Sequence, residues 1–445
     1  MLRGFGLNAA FLFLLSASSL FAAESGRGAD RSRYFPLDHP VYNWLDRAQE
    51  RGMLLGLNRA LRPYTREQVR LAVKTQSRKN LKSFEQEWLD RLDRECALEL
   101  DSAAAGDSAA LRIIVRAEAS TTVRSLRPDR HDETAGLGFG GRFGNVVFDA
   151  RFLRAPHLLR AVDSAEHRDP DVQAPREAGL IRPMEGYLKA DFASRGGAFG
   201  AELFFGRMAR NWSPSLDGSL ILSGGALSFD HFGLALRSRH LTLSHLIARL
   251  DGMSYRNSSS GSWQRANRFM SIHRLDIRVR DNLRFGITES AVYGGPGASF
   301  DPALMNPFTS YRLTAIQGSD DHANNTLLAL DGFVNMAGRA SLFGQFLFDD
   351  FLRRSDIQDR WAASLGLDLR DPTPLESVTL GLRGTVASSY VYNTFMPWER
   401  YLIEGRSLGA SEGNDYWSAG AFLRKFLGPN LDLTGRIDLS GRGMR

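Results

Sequence analysis

Apolar and polar residues alternate one by one along most of the chain beyond residue 111, and this period of two limits most strongly what it can form. Val146, Phe148, Ala150 and Phe152 alternate with Asn145, Val147, Asp149 and Arg151. Leu275, Ile277 and Val279 alternate with Arg274, Asp276, Arg278 and Arg280. Ala363, Leu365, Leu367 and Leu369 do so with Ser364, Gly366, Asp368 and Arg370, and Leu431, Leu433, Ile437 and Leu439 with Asp432, Thr434, Arg436 and Asp438. Successive side chains of a strand point to opposite faces, so each segment has one apolar face and one face of charge, Gly and Ser. A soluble sandwich would turn the apolar faces inward; a membrane barrel would turn them to lipid around a wet interior, and periodicity alone does not separate the two. Two features favour the barrel. The polar faces are full of Arg accompanied by Asp, and many segments reach the ~9–11 residues that a tilted spanning strand needs. The remaining residues, 111–445, at roughly 18–20 per strand and turn, predict an even strand number near 16 or 18.

The start of the chain agrees with export. Arg3 precedes an apolar run from Leu7 to Leu20, followed by Ser18-Ser19-Leu20-Phe21-Ala22-Ala23-Glu24. A basic start, a short apolar core and small residues before a polar break read as a signal peptide, residues 1–23, cleaved after Ala22 or Ala23. The run falls short of a spanning helix, and the absence of a cysteine at the junction excludes a lipoprotein. A membrane protein with no later apolar helix must cross as a barrel.

Residues 34–100 have helical periodicity instead. Asp38 can cap a helix with Pro40 near its start; Val41, Trp44, Leu45 and Ala48 share a face, and Gly52 stops it. Thr65-Arg66-Glu67-Gln68 and Ser83-Phe84-Glu85-Gln86 both fit the capping box. Phe84, Trp88, Leu92 and Cys96 recur every fourth residue beside Leu89, which makes Cys96 a small core residue. Residues 101–110, rich in Ser, Ala, Gly and Asp, read as a linker.

Chemistry is scarce. One cysteine excludes an intrachain disulfide framework and a cysteine-based metal cluster. Gly409-Ala410-Ser411-Glu412-Gly413 matches a nucleophile elbow, but no buried strand precedes it. Gly136-Leu137-Gly138-Phe139-Gly140-Gly141 lies among alternating segments and reads as strand glycines, not a dinucleotide loop. Nine His are scattered without metal-ligand spacing, and Asp320-Asp321-His322 reads as a solvated loop. Of the 56 basic residues 51 are Arg, but Asp interrupts their faces, which disfavours a nucleic-acid stripe. No cofactor, metal or catalytic constellation is expected.

The order of motifs resembles the Wzi-type capsule assembly family of outer-membrane proteins. The likeness begins with Pro36-Leu37-Asp38-His39-Pro40-Val41-Tyr42, Leu45-Asp46-Arg47, Gly52 and Arg62-Pro63-Tyr64-Thr65-Arg66. It continues through Phe205-Gly206-Arg207, Trp212, Gly218-Ser219-Leu220-Ile221-Leu222-Ser223 and Phe229-Asp230. His273-Arg274-Leu275-Asp276, Glu289, Tyr293-Gly294-Gly295, Asn306-Pro307, Asp349-Asp350-Phe351 and Tyr392-Asn393-Thr394 follow. Where relatives carry Trp-Gly-Pro-Gly, this chain has Trp212-Ser213-Pro214-Ser215.

The resemblance implies an all-β fold: a transmembrane antiparallel β-barrel (111–445) of 18 strands, where length alone gives about 16–18, preceded by a small α-helical periplasmic bundle (34–100). It implies a monomer of the outer membrane, in contact with its lipid, that binds or anchors capsular or extracellular polysaccharide and is not an enzyme. Tyr392, Trp398, Tyr401 and Trp417 could stack on sugars, and Arg could pair with acidic sugars; the alternative for the aromatics is an interfacial girdle. His273, Arg274, Asp276, Glu289, Asp349 and Asp350 would form a polar network or ligand site, or else lumenal charge pairs that keep the interior wet and rigid. A pore for sugars or small solutes is the other function class, and an open lumen would favour it.

Overall fold

The structure, a computed structural model, describes residues 30–100, 112–123, 131–154, 172–173, 182–194, 198–216, 218–224, 228–257, 259–317, 324–349 and 360–443. The expected signal peptide, the expected linker over 101–110, Asp350 and Asp320-Asp321-His322 lie outside these.

Three helices come first: α1 (Val41–Glu50), α2 (Arg66–Thr75) and α3 (Ser83–Leu100). The strands that follow are β1 (Arg112–Val123), β2 (His131–Phe143), β3 (Val146–Arg154), β4 (Val172–Gln173), β5 (Arg182–Ala193), β6 (Phe199–Met208), β7 (Phe229–Ser238), β8 (Leu241–Arg249), β9 (Met253–Arg256), β10 (Trp263–Arg280) and β11 (Leu283–Gly295). A short helix, α4 (Tyr311–Gln317), precedes β12 (Asn324–Met336), β13 (Ala340–Asp349), β14 (Trp361–Arg370) and β15 (Val378–Ala387). A small hairpin of β16 (Leu402–Ile403) and β17 (Arg406–Ser407) leads to β18 (Tyr416–Phe426) and β19 (Asp432–Arg442). Among the described residues seventeen strands share one sheet, but two of them, β4 and β9, are short, and the fifteen long ones fall below the even number near 16 or 18 expected from length. The long strands pair antiparallel with the next long strand in sequence, β1 with β2 through to β18 with β19; β4 and β9 are short accessories beside the top of β10.

The sheet wraps into a barrel around the helices. The same small helical unit touches β3 (Arg33 to Asp149), β10 (Asn58 to Asp276), the β14–β15 turn (Arg51 to Asp371) and β19 (Arg47 to Asp432), which only a curled sheet permits. Burial then separates sandwich from barrel. The inward side chains are buried and polar, among them Asp149, Lys189, Glu202, Arg274, Asp276, Asp331, Gln345 and Asp368. The alternate residues are apolar and exposed: Phe139, Phe285, Ile287, Leu330, Leu365, Leu382 and Ile437. A water-soluble sandwich would reverse this; a barrel in lipid requires it.

The turns 239–240, 281–282, 337–339, 371–377 and 427–431 lie at one end, and the longer segments 209–216, 218–224, 296–317 and 388–415 at the other. The helices occupy the short-turn end. Their core is Phe35, Val41, Leu45, Leu57, Val69, Leu89, Leu92 and Cys96, all buried. Thr65 and Gln68 make the capping box expected of them. The other start signals are displaced. Asp38 does not cap α1 but pairs with Arg151 of β3, while His39 accepts the Val41 amide. At α3 the box slips by one residue: the Glu85 carboxylate accepts the Lys82 amide at 2.9 Å. Trp88 and Phe84 leave the helical core to pack on Phe426 of β18, with ring centroids 4.9 and 5.2 Å away, and the indole N–H donates to Pro429 O at 2.9 Å. The bundle is thereby keyed into the barrel mouth.

Candidate functional site

The long-loop end is closed from within. The segments 209–216, 218–224 and 388–415 turn into the lumen and bury Trp212, Leu220, Ile221, Leu222, Val391, Tyr392, Tyr401 and Leu408 against the inward faces of β8, β10, β11, β12 and β13. Irregular backbone in such a place must have its polar groups satisfied. Side chains from the wall and from the loops do so. Gln345 of β13 accepts the Leu220 amide at 2.6 Å and donates to Trp212 O at 3.2 Å. Tyr392 donates to Leu220 O at 2.5 Å and Tyr401 to Ile221 O at 2.7 Å, and the two rings stack at 5.8 Å. Burial drives both phenols above their ordinary pKa, so they are neutral donors at physiological pH. Arg268 of β10, 1% exposed, spans Asp251 (3.1 Å) and the carbonyls of Trp398 (2.8 Å), Arg400 and Leu402 (3.0 Å). One guanidinium thus clamps a whole turn of the 388–415 loop.

Loop plug and helical unit meet in the lumen. Arg62 and Asn211 exchange both backbone hydrogen bonds, at 3.0 and 3.1 Å. Below this junction the lumen is crossed by ion pairs. Arg274 forks onto Asp276 (2.7 Å) and Asp331 (2.5 Å) and reaches Thr288, while Asn58 from the helical unit donates to Asp276 at 2.9 Å. Gly286 makes room for this fork: a Cβ there would stand 2.0 Å from an Arg274 Nη. Arg59, sandwiched over Phe333 and Phe343, faces Asp368, which Arg383 also pairs at 2.6 Å. These are paired, desolvated charges and not a row of free cations.

The residues singled out from the sequence do not form one network. Arg274 and Asp276 meet as expected, but inside the lumen with Asp331 as their main partner. His273 and Glu289 pair at 3.2 Å on the opposite face of the same strands, outside the barrel wall, because strand neighbours cannot share a face. Asp349 accepts the Tyr392 amide at 2.6 Å. Tyr392 and Tyr401 are buried in the plug and offer no face to a sugar, which corrects the stacking role expected of them. Trp398 is half-buried, edge-on to Tyr255. Trp417 faces outward among lipid-side residues, as a girdle residue does. Arg268, Arg59, Gln345 and Asp331 were missed; for Arg268 the signal was its shared parity with Met270, Ile272 and Arg274. Within the 388–415 loop Tyr390 (42%) and Phe395 (86%) are exposed, beside Met396.

A family profile described as capsule assembly protein Wzi matches residues 131–437. The chain belongs to the Wzi capsule assembly family. Among solved structures it is similar to Wzi of Escherichia coli, an outer-membrane protein of group 1 capsule assembly described as a carbohydrate-binding β-barrel: 15% identity, 94% of this chain and 86% of that one, TM-score 0.59. It is also matched, at 11% identity over 69% of this chain and 53% of that one, to the FrpB iron transporter of Neisseria meningitidis, with a TM-score of 0.35. A Pseudomonas aeruginosa protein, OccK11, gives 10% identity over 74% and 88%, with a TM-score of 0.32. None of the curated proteins compared with it matches. The Wzi fold and the apolar outer belt together make this an outer-membrane barrel.

Proposed function

We propose that this Wzi-family chain holds capsular or extracellular polysaccharide at the cell surface, on the long-loop face, as a non-enzymatic binding protein. The observation that carries the reading is the blocked lumen: the helical unit closes it from one end and loops from the other, and the two are hydrogen-bonded to each other through Arg62 and Asn211. A barrel blocked in this way offers surface and not passage. The plug makes the 388–415 loop a rigid base from which Tyr390 and Phe395 project. Each sugar contact there is weak, but many contacts along one long polymer retain it by avidity.

Deleting the gene in a capsule-producing host should leave total polymer unchanged while moving it from the cells to the medium. Exchange of Tyr390 and Phe395 for Ala should do the same in part. For an acidic polymer, added salt should weaken retention, since exposed charge attraction is screened over about 8 Å at physiological ionic strength. Loss of total polymer would indicate synthesis or export instead, and unchanged attachment would overturn the reading.

A further inference from the structure

The connection between β11 and β12 does not extend from the barrel mouth. Residues 296–317 fold down the outside of the wall. Asn267 donates to Ala298 O at 2.9 Å, Phe300 packs on Phe269 with centroids 4.5 Å apart, and Tyr311 lies 4.4 Å from the ring of His273. Leu304 and Tyr311 are buried with Phe269, Ala291 and Tyr293. All the wall residues in this contact have the outward parity of Phe285 and Ile287, which are exposed to lipid.

Under the segment lies a polar group that a bare lipid-facing wall could not carry. Glu289 is 5% exposed, pairs with His273, and accepts the Ser310 hydroxyl and the Arg312 amide, each at 2.9 Å. The Tyr311 hydroxyl reaches His245 at 3.4 Å. A charged group on the lipid face is unfavourable unless protein covers it. Glu289 is six residues above Leu283 at the short-turn end, or ~20 Å along a strand tilted by ~40°, which puts it in the upper half of an apolar band about 25 Å tall. The segment replaces this polar wall with a different surface. It carries two charged residues, Asp301 and Arg312: Asp301, partly buried, accepts the Ala303 amide, and Arg312 is 9% exposed. Its outer side presents Phe300 (42%), Met305 (38%), Phe308 (75%) and Leu313 (51%).

We propose that residues 296–317 are a lipid-docking element: a strap, pinned to the wall through Glu289, that seats Phe300, Met305, Phe308 and Leu313 in the acyl chains of the outer leaflet. The barrel then grips the membrane asymmetrically, with a thickened, lipid-embedded flank beside β8, β10 and β11. The inference is independent of polysaccharide binding and stands or falls on the depth of these four side chains.

Nitroxide labels on Phe308→Cys and Leu313→Cys, in the full mature chain reconstituted into liposomes, test it. Cys96 does not compete, being fully buried with its thiol pushed up to about 12. Labels on Phe285→Cys and Tyr390→Cys mark the lipid-facing wall and the aqueous loop face. The expected result is oxygen accessibility above that of a water-soluble nickel complex at both strap sites, as at Phe285. A second label position guards against one variant misfolding. Nickel accessibility like that of Tyr390 at both sites would overturn the proposal, and so would spin–spin broadening, which would assign the patch to a second copy of the chain. Adding Glu289→Gln to the Leu313 label should shift it towards nickel accessibility; no shift would remove Glu289 as the pin.

Discussion

Replacing Arg268 by Met should unfasten the plug without unfolding the barrel. The side chain is 1% exposed and holds three carbonyls of the 398–402 turn together with Asp251. Removing one partner from a buried charged pair costs about 3–5 kcal/mol, and each buried carbonyl left without a donor about 1–3. Two effects reduce the sum. Burial raises the Asp251 carboxyl above its ordinary range even with Arg268 pulling it down, so without Arg268 it takes up a proton sooner than remain a lone buried charge. The loop can also relax towards water. The lower end, about 3 kcal/mol, is therefore the working figure, equal to roughly a hundredfold rise in local opening. Hydrogen exchange on the detergent-solubilised protein reads it at the amides of Leu402 and Leu408, whose acceptors are Arg400 O and Tyr401 O. Exchange there should accelerate by about two orders of magnitude while β12 to β14 are unchanged. Unchanged exchange in the loop would refute the clamp; acceleration throughout the barrel would mean that Arg268 supports the wall and not the plug.

Three further outcomes follow from the same structure. Trp88→Ala should destabilise the docked helical unit by about 3–5 kcal/mol, read by thermal melting, because the indole is fully buried against Phe84 and Phe426; a change within about half a kcal/mol would contradict that placement. Leu365 and Leu71 are both 62% exposed, one on the barrel wall and one on α2, so Leu365→Arg should cost about 2–4 kcal/mol and Leu71→Arg almost nothing. Equal effects on stability in bilayers would put both in the same solvent. Burial, opposed by Arg424, pushes the Glu50 carboxyl from 4.5 up to about 7. The folded state then binds that proton more tightly than the unfolded one, so this stabilisation is complete below about pH 4.5 and is lost as pH rises through 7. Melting of the helical unit between pH 5 and 8 should show a decline of at most about 3 kcal/mol that Glu50→Gln abolishes; an undiminished decline in the variant would assign it elsewhere.

What could be read from sequence was what short-range periodicity encodes. The alternation at 274–280 gives the faces of β10 correctly, and the four-residue spacing of Phe84, Trp88, Leu92 and Cys96 gives the buried side of α3. The same rule should have separated His273 from Arg274, since adjacent strand residues point apart; grouping them by charge ignored it. Tyr392 shows the other kind of gap. Its residue type suits a sugar platform, but its role depends on the 388–415 loop turning inward to meet Leu220, a contact 172 residues away along the chain. Asp331 gained its importance only when β12 was set beside β11 and β10. Ser83 lost its capping role to Lys82 and Glu85 because Glu85 is also tied to Arg51 at 2.5 Å and to Arg370 at 2.8 Å. Contacts of that range leave no local pattern to read.

Planar-bilayer conductance of the purified native protein tests the central claim, that the barrel is blocked and works by its surface. With helices and loops joined through Arg62 and Asn211, insertion should add no steady ionic current at any applied potential, whereas truncating the 388–415 loop together with residues 30–100 should open one. A stable, ohmic current through the unmodified protein would contradict the account and make it a pore.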